Sequence, residues 1–169
     1  MVDLPTIVVT DANLLINLIH VGRILLLGQL PGYRFVVPEE VVAEVTPEDQ
    51  RAQLSSALAG GALSLCSLTG LAGLTLFAEF RVVMGVGESA CLAMAELNGW
   101  WVASDERRRF RREVIARLGR DRLLTTPDVF VLGIRAGLLS VAEADADKTL
   151  LASKRFVMKF GSFSELLDP

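Results

Sequence analysis

Residues 6–13, TIVVTDAN, decide the fold of this chain. The stretch opens with a run of β-branched residues, Thr6 to Thr10, which are typical of a buried strand. Asp11 follows at once, either as the last residue of the strand or as the N-cap of a helix predicted over 12–19. The stretch therefore predicts a strand, an aspartate and a helix in direct succession.

The same succession returns further along the chain, where a predicted strand over 100–104 meets Asp105 and a helix follows over 107–118. Strand and helix patterns alternate elsewhere too. Further strands are predicted at 33–37, 62–68 and 123–124, and further helices at 23–27, 38–46, 48–58, 71–84, 87–98, 126–136 and 141–152. This alternation predicts an α/β fold with a mostly parallel central sheet and helices on both faces.

The composition is typical of one folded domain. The chain has 169 residues, of which 51% are hydrophobic and 22% are charged, so it can bury a core and is too apolar for a disordered chain. No linker, repeat or low-complexity tract divides it, and we expect a single domain over 1–169. Cys66 and Cys91 lack the spacing of a zinc site or a disulfide scaffold, so both are expected in the core of a protein from the reducing cytoplasm.

The longest uncharged stretch, residues 52–78, is long enough to cross a bilayer. Glycine, serine, threonine and glutamine nevertheless occur throughout it, and residues 62–65 alternate as a half-buried strand does. Residues 1–5 lack the basic and apolar regions of a signal peptide. The sequence therefore predicts a soluble cytoplasmic protein without a membrane segment.

The net charge of −3 conceals an uneven distribution. Residues 1–100 hold four basic and ten acidic side chains, whereas residues 101–169 hold thirteen basic and ten acidic ones. Eight arginines fall within residues 107–122. An acidic half joined to a basic half suits a metal site that lies beside a binding track for a polyanion.

Four acidic residues are expected near one edge of the sheet. Asp11 and Asp105 each follow a strand, and ligands bind at the carboxyl ends of parallel strands. Glu44 and Glu88 lie on predicted helices that can approach the same edge. Taken singly, each of the four is typical of a helix cap or a solvated position. Together, converging carboxylates repel one another unless a cation is bound, and an all-oxygen set favours Mg²⁺ or Mn²⁺ over zinc.

Several motifs, in this order and spacing, resemble the PIN-domain family, in the branch of compact prokaryotic toxins typified by VapC. The resemblance covers about residues 6–140, most of the chain, and leaves 141–169 as a C-terminal extension. The motifs that carry it are VTDANLL at 9–15, VPEEVVAE at 37–44, GESACLA at 87–93 and ASDERR at 103–108, followed by Thr126 and GIRAGLL at 133–139.

The resemblance implies a Rossmann-like sheet whose carboxyl edge carries acidic residues that bind Mg²⁺ or Mn²⁺ and cleave RNA. By position, the family's catalytic and metal-binding set corresponds to Asp11, Glu44, Glu88 and Asp105. Many members have one more acidic residue, for which Glu106 and Asp128 are the candidates in this sequence. The resemblance also implies a toxin that forms a homodimer, an antitoxin partner, and products with a 5′-phosphate and a 3′-hydroxyl.

The arginines that follow Asp105 have two interpretations. On a helix, Arg107 shares a face with Arg111, and Arg108 shares one with Arg112. These four arginines could form a track that binds RNA phosphates beside the acidic site. Alternatively, they could lie on a solvated helix face, paired with nearby carboxylates at Glu106, Glu113 and Asp121.

Other functional classes fit the sequence less well. A phosphatase of the haloacid-dehalogenase type needs a second aspartate two positions after Asp11, where this chain has Asn13. The glycine motifs of P-loop and dinucleotide-binding proteins are missing. Cleavage of structured DNA would need helical insertions for which the chain has little room. The open alternative is a PIN-like fold that binds nucleic acid or protein without catalysis.

Two features at helix ends and at the C-terminus carry structural expectations. His20 is the only histidine, and it is expected at a helix end rather than in a site. Residues 155–160, RFVMKF, are followed by Phe163, and these apolar side chains could be exposed for a partner. We expect instead a final strand and helix that close the core, because exposed apolar patches are uncommon on monomers.

Overall fold

A sheet of five parallel strands forms the centre of the computed structural model, which describes residues 2–167. The strands are β1 (Thr6–Thr10), β2 (Tyr33–Pro38), β3 (Ser64–Cys66), β4 (Trp101–Ala103) and β5 (Leu123–Leu124). Their order across the sheet is β3-β2-β1-β4-β5. The α/β class and the parallel sheet predicted from the sequence are confirmed.

Helices connect the strands and cover the sheet. They are α1 (Ala12–His20), α2 (Glu39–Glu44), α3 (Glu48–Ala59), α4 (Gly70–Arg81), α5 (Val86–Asn98), α6 (Arg109–Leu118), α7 (Thr126–Arg135) and α8 (Val141–Ser153). Short 3₁₀ segments lie at Ile24–Gly28, Arg120–Arg122 and Phe163–Leu166. His20 is the last residue of α1, as expected.

The strand order creates a switch point beside β1. The chain runs outward from β1 to β2 and β3, and then returns to place β4 on the opposite side of β1. Connections on the two sides of β1 therefore leave the sheet in different directions, which opens a crevice at the carboxyl ends of β1 and β4. Asp11 and Asp105 follow these two strands.

The core lies on both faces of the sheet. On one face α1 contacts α3, α7 and α8, and on the other α5 contacts α4 and α6. Val9 of β1 and Leu14 of α1 are fully buried. Residues 89–95 of α5 are buried throughout, because small residues such as Ala90 and Ala93 let this helix approach the sheet closely. The packing holds the start of α5, and with it Glu88, near the carboxyl edge.

Some boundaries differ from the sequence prediction. The segment predicted as a helix at 23–27 is a 3₁₀ turn, and β3 has three residues rather than the seven predicted. Helix α6 begins two residues late because the Glu106 side chain accepts the N–H groups of Arg107 and Arg108. That side chain holds the preceding turn outside the helix.

The final strand predicted over 155–160 is wrong: the described chain has no strand after β5. Arg155 has a left-handed backbone, with φ 67°, which turns the chain off the end of α8. The N–H of Phe156 then donates to the carbonyl of Leu151 at 2.9 Å. Met158 and Phe163 are buried one at a time against the core, so the segment needs no strand ladder.

The prediction of one domain over 1–169 stays a prediction, and Met1, Asp168 and Pro169 lie outside the described residues. Across the described range, every helix is too short or too polar to span a bilayer. The uncharged stretch over 52–78 contributes instead to α3, β3 and α4.

Candidate active site

Asp11 and Asp105 lie at the same edge of the sheet, as the strand pattern predicts. The N–H of Asp11 donates to the carbonyl of Ala103 at 2.9 Å and so extends the β1–β4 pairing by one step. Asp105 lies two residues beyond the end of β4. The surroundings of the two carboxyl groups nevertheless differ.

Asp11 is buried and caps α1. Its Oδ1 accepts the N–H of Ala12 at 2.7 Å, and its Oδ2 accepts the hydroxyl of Ser104 at 3.1 Å. Burial raises the pKa of this carboxyl to about 6 against the lowering effect of these hydrogen bonds, and the charges of Glu44 and Glu88 raise it further. A carboxylate in such surroundings is stabilised by a cation.

Glu44 and Glu88 share a cleft of about 360 Å³ with Asp11. We call it the acidic cleft; it is lined by Asp11, Ala12, Asn13, Ile16, Glu44, Gly85 and Glu88. Burial raises the pKa of Glu88, and the charges of Glu106 and Glu44 add to this. The structure therefore brings three of the four predicted carboxylates together in one cleft.

Backbone donors at the start of α5 hold both glutamates. Oε1 of Glu44 accepts the N–H of Gly87 at 2.8 Å, and Oε2 of Glu88 accepts the N–H of Gly85 at 3.2 Å. A Cβ at position 87 would lie 2.6 Å from Oε2 of Glu44, closer than real contacts allow. The glycine of the GESACLA motif thus makes room for the carboxylate of Glu44.

The carboxyl group of Asp105 is surrounded by donors. Oδ1 accepts the N–H of Thr126 at 2.8 Å. Oδ2 accepts the hydroxyl of Thr126 and, at 2.8 Å, the side-chain amide N–H of Asn17. Burial raises the pKa of this carboxyl, but these hydrogen bonds and the charge of Arg107 oppose the rise. Asp105 lines two neighbouring clefts rather than the acidic cleft.

Asn13 links the two regions. It lines both the acidic cleft and a cleft beside Asp105, and its Oδ1 accepts the N–H of Asp105 at 3.2 Å. Sequence reasoning did not assign a site role to Asn13, Asn17, Ser104 or Thr126. The one available signal was the i, i+4 spacing of the two asparagines on α1, which places both on one helix face.

The two candidates for a further acidic residue differ in position. Glu106 caps the turn before α6, yet its charge raises the pKa of Glu88, so it acts electrostatically on the acidic cleft. Asp128 is exposed, and its Oδ2 accepts the N–H and hydroxyl of Thr125 at 2.7 and 2.8 Å. In this position Asp128 caps α7.

The predicted arginine pairs separate in the structure. Arg107 and Arg111 line the clefts beside Asp105, whereas Arg108 and Arg112 line neither of them. Over residues 2–167, none of the four forms an ion pair. Glu113, a predicted partner, pairs with Arg117 instead.

The donor set of the acidic cleft fits a hard divalent cation. The carboxylate ligands it offers are all oxygens, and beside the effect of burial the charge of Glu44 raises the pKa of both Asp11 and Glu88. Within residues 2–167 the structure shows no group of three or more His, Cys, Asp or Glu side chains arranged around a single ion position. Mg²⁺ does not need such a cage, because it keeps several waters and is usually bound by one or two carboxylates together with substrate phosphates.

The chain matches the family model of the PIN domain over residues 7–120. That match includes all four predicted carboxylates and ends before α7. No curated protein matches the chain.

Proposed function

We propose, since this chain belongs to the PIN-domain family, that it is a Mg²⁺- or Mn²⁺-dependent endoribonuclease. PIN domains are generally nucleases. The observation that carries the proposal is the acidic cleft, where Asp11, Glu44 and Glu88 meet at the switch point of a parallel sheet. The finer proposal is a cytoplasmic, VapC-like toxin of a toxin–antitoxin pair.

Asp11 is the proposed metal ligand at the base of the cleft, with Glu44 and Glu88 beside it. A bound divalent cation supplies a water of lowered pKa and neutralises charge on the scissile phosphate. Ala12 and Ser104 hold the Asp11 carboxylate in one orientation. Glu88 is half-buried and its pKa is raised, so it can accept a proton from an attacking water.

Asp105 completes the proposed catalytic set. Thr126 and Asn17 fix its carboxylate, and it shares a cleft with Arg107 and with Asn13, which also lines the acidic cleft. Glu106 is the better-placed additional acidic residue, because its charge reaches Glu88. Asp128 is better explained as a helix cap.

Cleavage of total RNA by the purified chain tests the proposal. We expect cleavage with Mn²⁺ or Mg²⁺, none with EDTA, and a loss of at least about a hundredfold in Asp11→Asn. Asp128→Asn is the matched control, because it neutralises an exposed carboxylate outside the acidic cleft. A folded, inhibitor-free chain that cleaves no RNA with either metal would overturn the proposal.

The second candidate function is a non-catalytic binding module. It is favoured by Asp105, both of whose carboxylate oxygens are already occupied by protein donors. In that case Asp11→Asn would leave partner binding and the cellular effect intact. In a nuclease toxin, the same substitution abolishes growth inhibition.

An antitoxin and a second copy of the chain are the proposed protein partners. Large apolar side chains are exposed on and just after α4, where Leu71 is 83% and Val82 is 82% accessible. Exposed apolar clusters support protein association. Light scattering of the purified chain tests for the dimer, and co-expression with a neighbouring small gene tests for the antitoxin.

A further inference from the structure

A strongly basic region lies beside Asp105 and meets the acidic cleft at Asn13, which lines both. Two adjoining clefts of about 400 and 290 Å³ open there, and Asp105 is the only acidic residue in their described linings. We call them the basic clefts. Their cationic side chains are Arg107, Arg111, Lys154, Arg155 and Lys159.

The second wall of these clefts is the segment 154–160, which we call the basic strap. It lies outside the part of the chain that matches the PIN-domain model, residues 7–120. The first wall carries Arg107, in the turn before α6, and Arg111 of α6. The Arg107 guanidinium donates to the carbonyl of Val157 at 3.3 Å. Positive charges therefore face the clefts from two segments that are distant in sequence.

Both ends of the basic strap are fixed. At its start, Phe156 is bonded to the last turn of α8. At its end, the Phe160 ring packs 4.9 Å from the ring of the buried Phe163. The carboxylate of Asp145 then accepts the N–H of Phe163 at 2.8 Å. The strap is thus a built wall rather than a loose tail.

The charges on this surface are not neutralised by ion pairs with carboxylates among residues 2–167. Over the described part of the chain, none of the five cationic side chains forms an ion pair. Like charges gathered in a cleft repel one another and raise the local concentration of polyanions. The fixed strap therefore places these charges in a concave cleft and not on an open convex face.

We propose that the basic clefts bind the phosphate backbone of single-stranded RNA and lead it past Asp105 into the acidic cleft. A concave groove with cations on both walls and an aromatic side chain, here Phe156, is the usual form of a single-strand site. A duplex is instead contacted across exposed grooves. The inference rests on the proposed nuclease function and adds to it the path of the substrate.

RNA binding, measured under conditions that prevent cleavage, tests whether the basic clefts hold the substrate. The background is the full chain with Asp11→Asn in EDTA, and the probe is a short fluorescent uridine oligomer followed by anisotropy. Adding Lys154→Gln and Lys159→Gln should weaken binding about tenfold or more and reduce the salt dependence by about 0.7 for each lost phosphate contact. The matched control, Arg108→Gln with Arg112→Gln, removes two charges that lie outside the clefts and should bind as the background does.

Each other outcome overturns the inference. The inference is wrong if the variant with Lys154→Gln and Lys159→Gln binds the oligomer as tightly as the background does. It is also wrong if the control variant, with Arg108→Gln and Arg112→Gln, loses as much affinity as the strap variant. If polyglutamate binds through the strap and the uridine oligomer does not, the surface is a protein-docking site. Cleavage by the unmodified chain is assayed separately: strap-dependent binding without cleavage removes only the nuclease proposal, whereas cleavage without a strap effect removes only this inference.

Discussion

Asp11 and Asp105 follow neighbouring strands at the same edge of one sheet, yet different groups surround their carboxylates. Burial raises the pKa of Asp11 to about 6 although its two hydrogen-bond donors lower it, and the charges of Glu44 and Glu88 add to the rise. Asp105 has three donors and a nearby guanidinium that oppose the effect of burial on its pKa. The topology of the sheet brings the two aspartates to one edge. Asp11, which lies beside two other carboxylates, is the one that a cation would stabilise more.

The largest effect on stability is expected when Asp11 is replaced in the absence of metal. Its folded pKa of about 6 lies above the ordinary value of 3.8, so the folded state holds the proton more tightly. The stability this contributes is present below pH 3.8 and is lost as the pH rises through 6. In EDTA at neutral pH, Asp11→Asn should therefore be more stable than the unmodified chain, by on the order of 3 kcal/mol.

Urea unfolding in EDTA across this pH range measures the difference. The gain from Asp11→Asn should widen between pH 4 and pH 7, since the unmodified chain loses stability there. Asp128→Asn provides the comparison, because the carboxylate it removes is exposed. A gain that stays constant with pH would show that the burial of Asp11 charge has been misjudged.

A smaller effect on stability is expected when a hydrogen-bond donor to Asp105 is removed. Thr126 is fully buried, and Thr126→Val leaves the Asp105 carboxylate without its hydroxyl partner, at a cost of about 1–3 kcal/mol. Thr125→Val removes the neighbouring hydroxyl, which caps α7 at the surface, and should cost about 0.5–1 kcal/mol. Thermal unfolding of the two variants compares them directly. Equal losses would contradict the role given to Thr126.

The smallest effect on stability is expected from Gly87→Ala, because the added methyl group meets only the side chain of Glu44. A methyl group there displaces the carboxylate of Glu44, an exposed residue, so the stability of the fold should change little. RNA cleavage should fall about tenfold, because one cleft carboxylate loses its position. At Gly85 an added Cβ would lie 3.7 Å from Oε2 of Glu88, an ordinary contact, so Gly85→Ala serves as the control. Similar rates in both variants would argue against a role for Glu44.

The sequence predicted the parts of the site that follow from local pattern. Strand, aspartate and helix in succession identify Asp11 and Asp105, because parallel strands share one carboxyl edge. The GESACLA motif located Glu88. The hydrogen bonds around Asp105 could not be predicted, since Asn17 and Thr126 are separated from it by 88 and 21 residues. Only packing brings them into contact.

The C-terminal region shows a second limit of the pattern. The apolar residues of 155–160 were expected to close the core as a strand, but the left-handed turn at Arg155 directs the segment past Arg107, in the turn before α6, instead. Which arginines face the clefts likewise depends on the turn that Glu106 holds before α6, because Arg107 and Arg108 lie in that turn and not on the helix. Spacing alone pairs Arg107 with Arg111 and Arg108 with Arg112 without distinguishing the two pairs.

Binding of Mn²⁺, followed by electron paramagnetic resonance, shows whether the acidic cleft is a metal centre, because the signal of free Mn²⁺ disappears when the ion binds and no RNA is needed. The unmodified chain and Asp128→Asn should bind Mn²⁺ in the same way. Asp11→Asn should lose the Mn²⁺ site. Unchanged binding by a folded Asp11→Asn protein would contradict the claim that the acidic cleft is the metal centre.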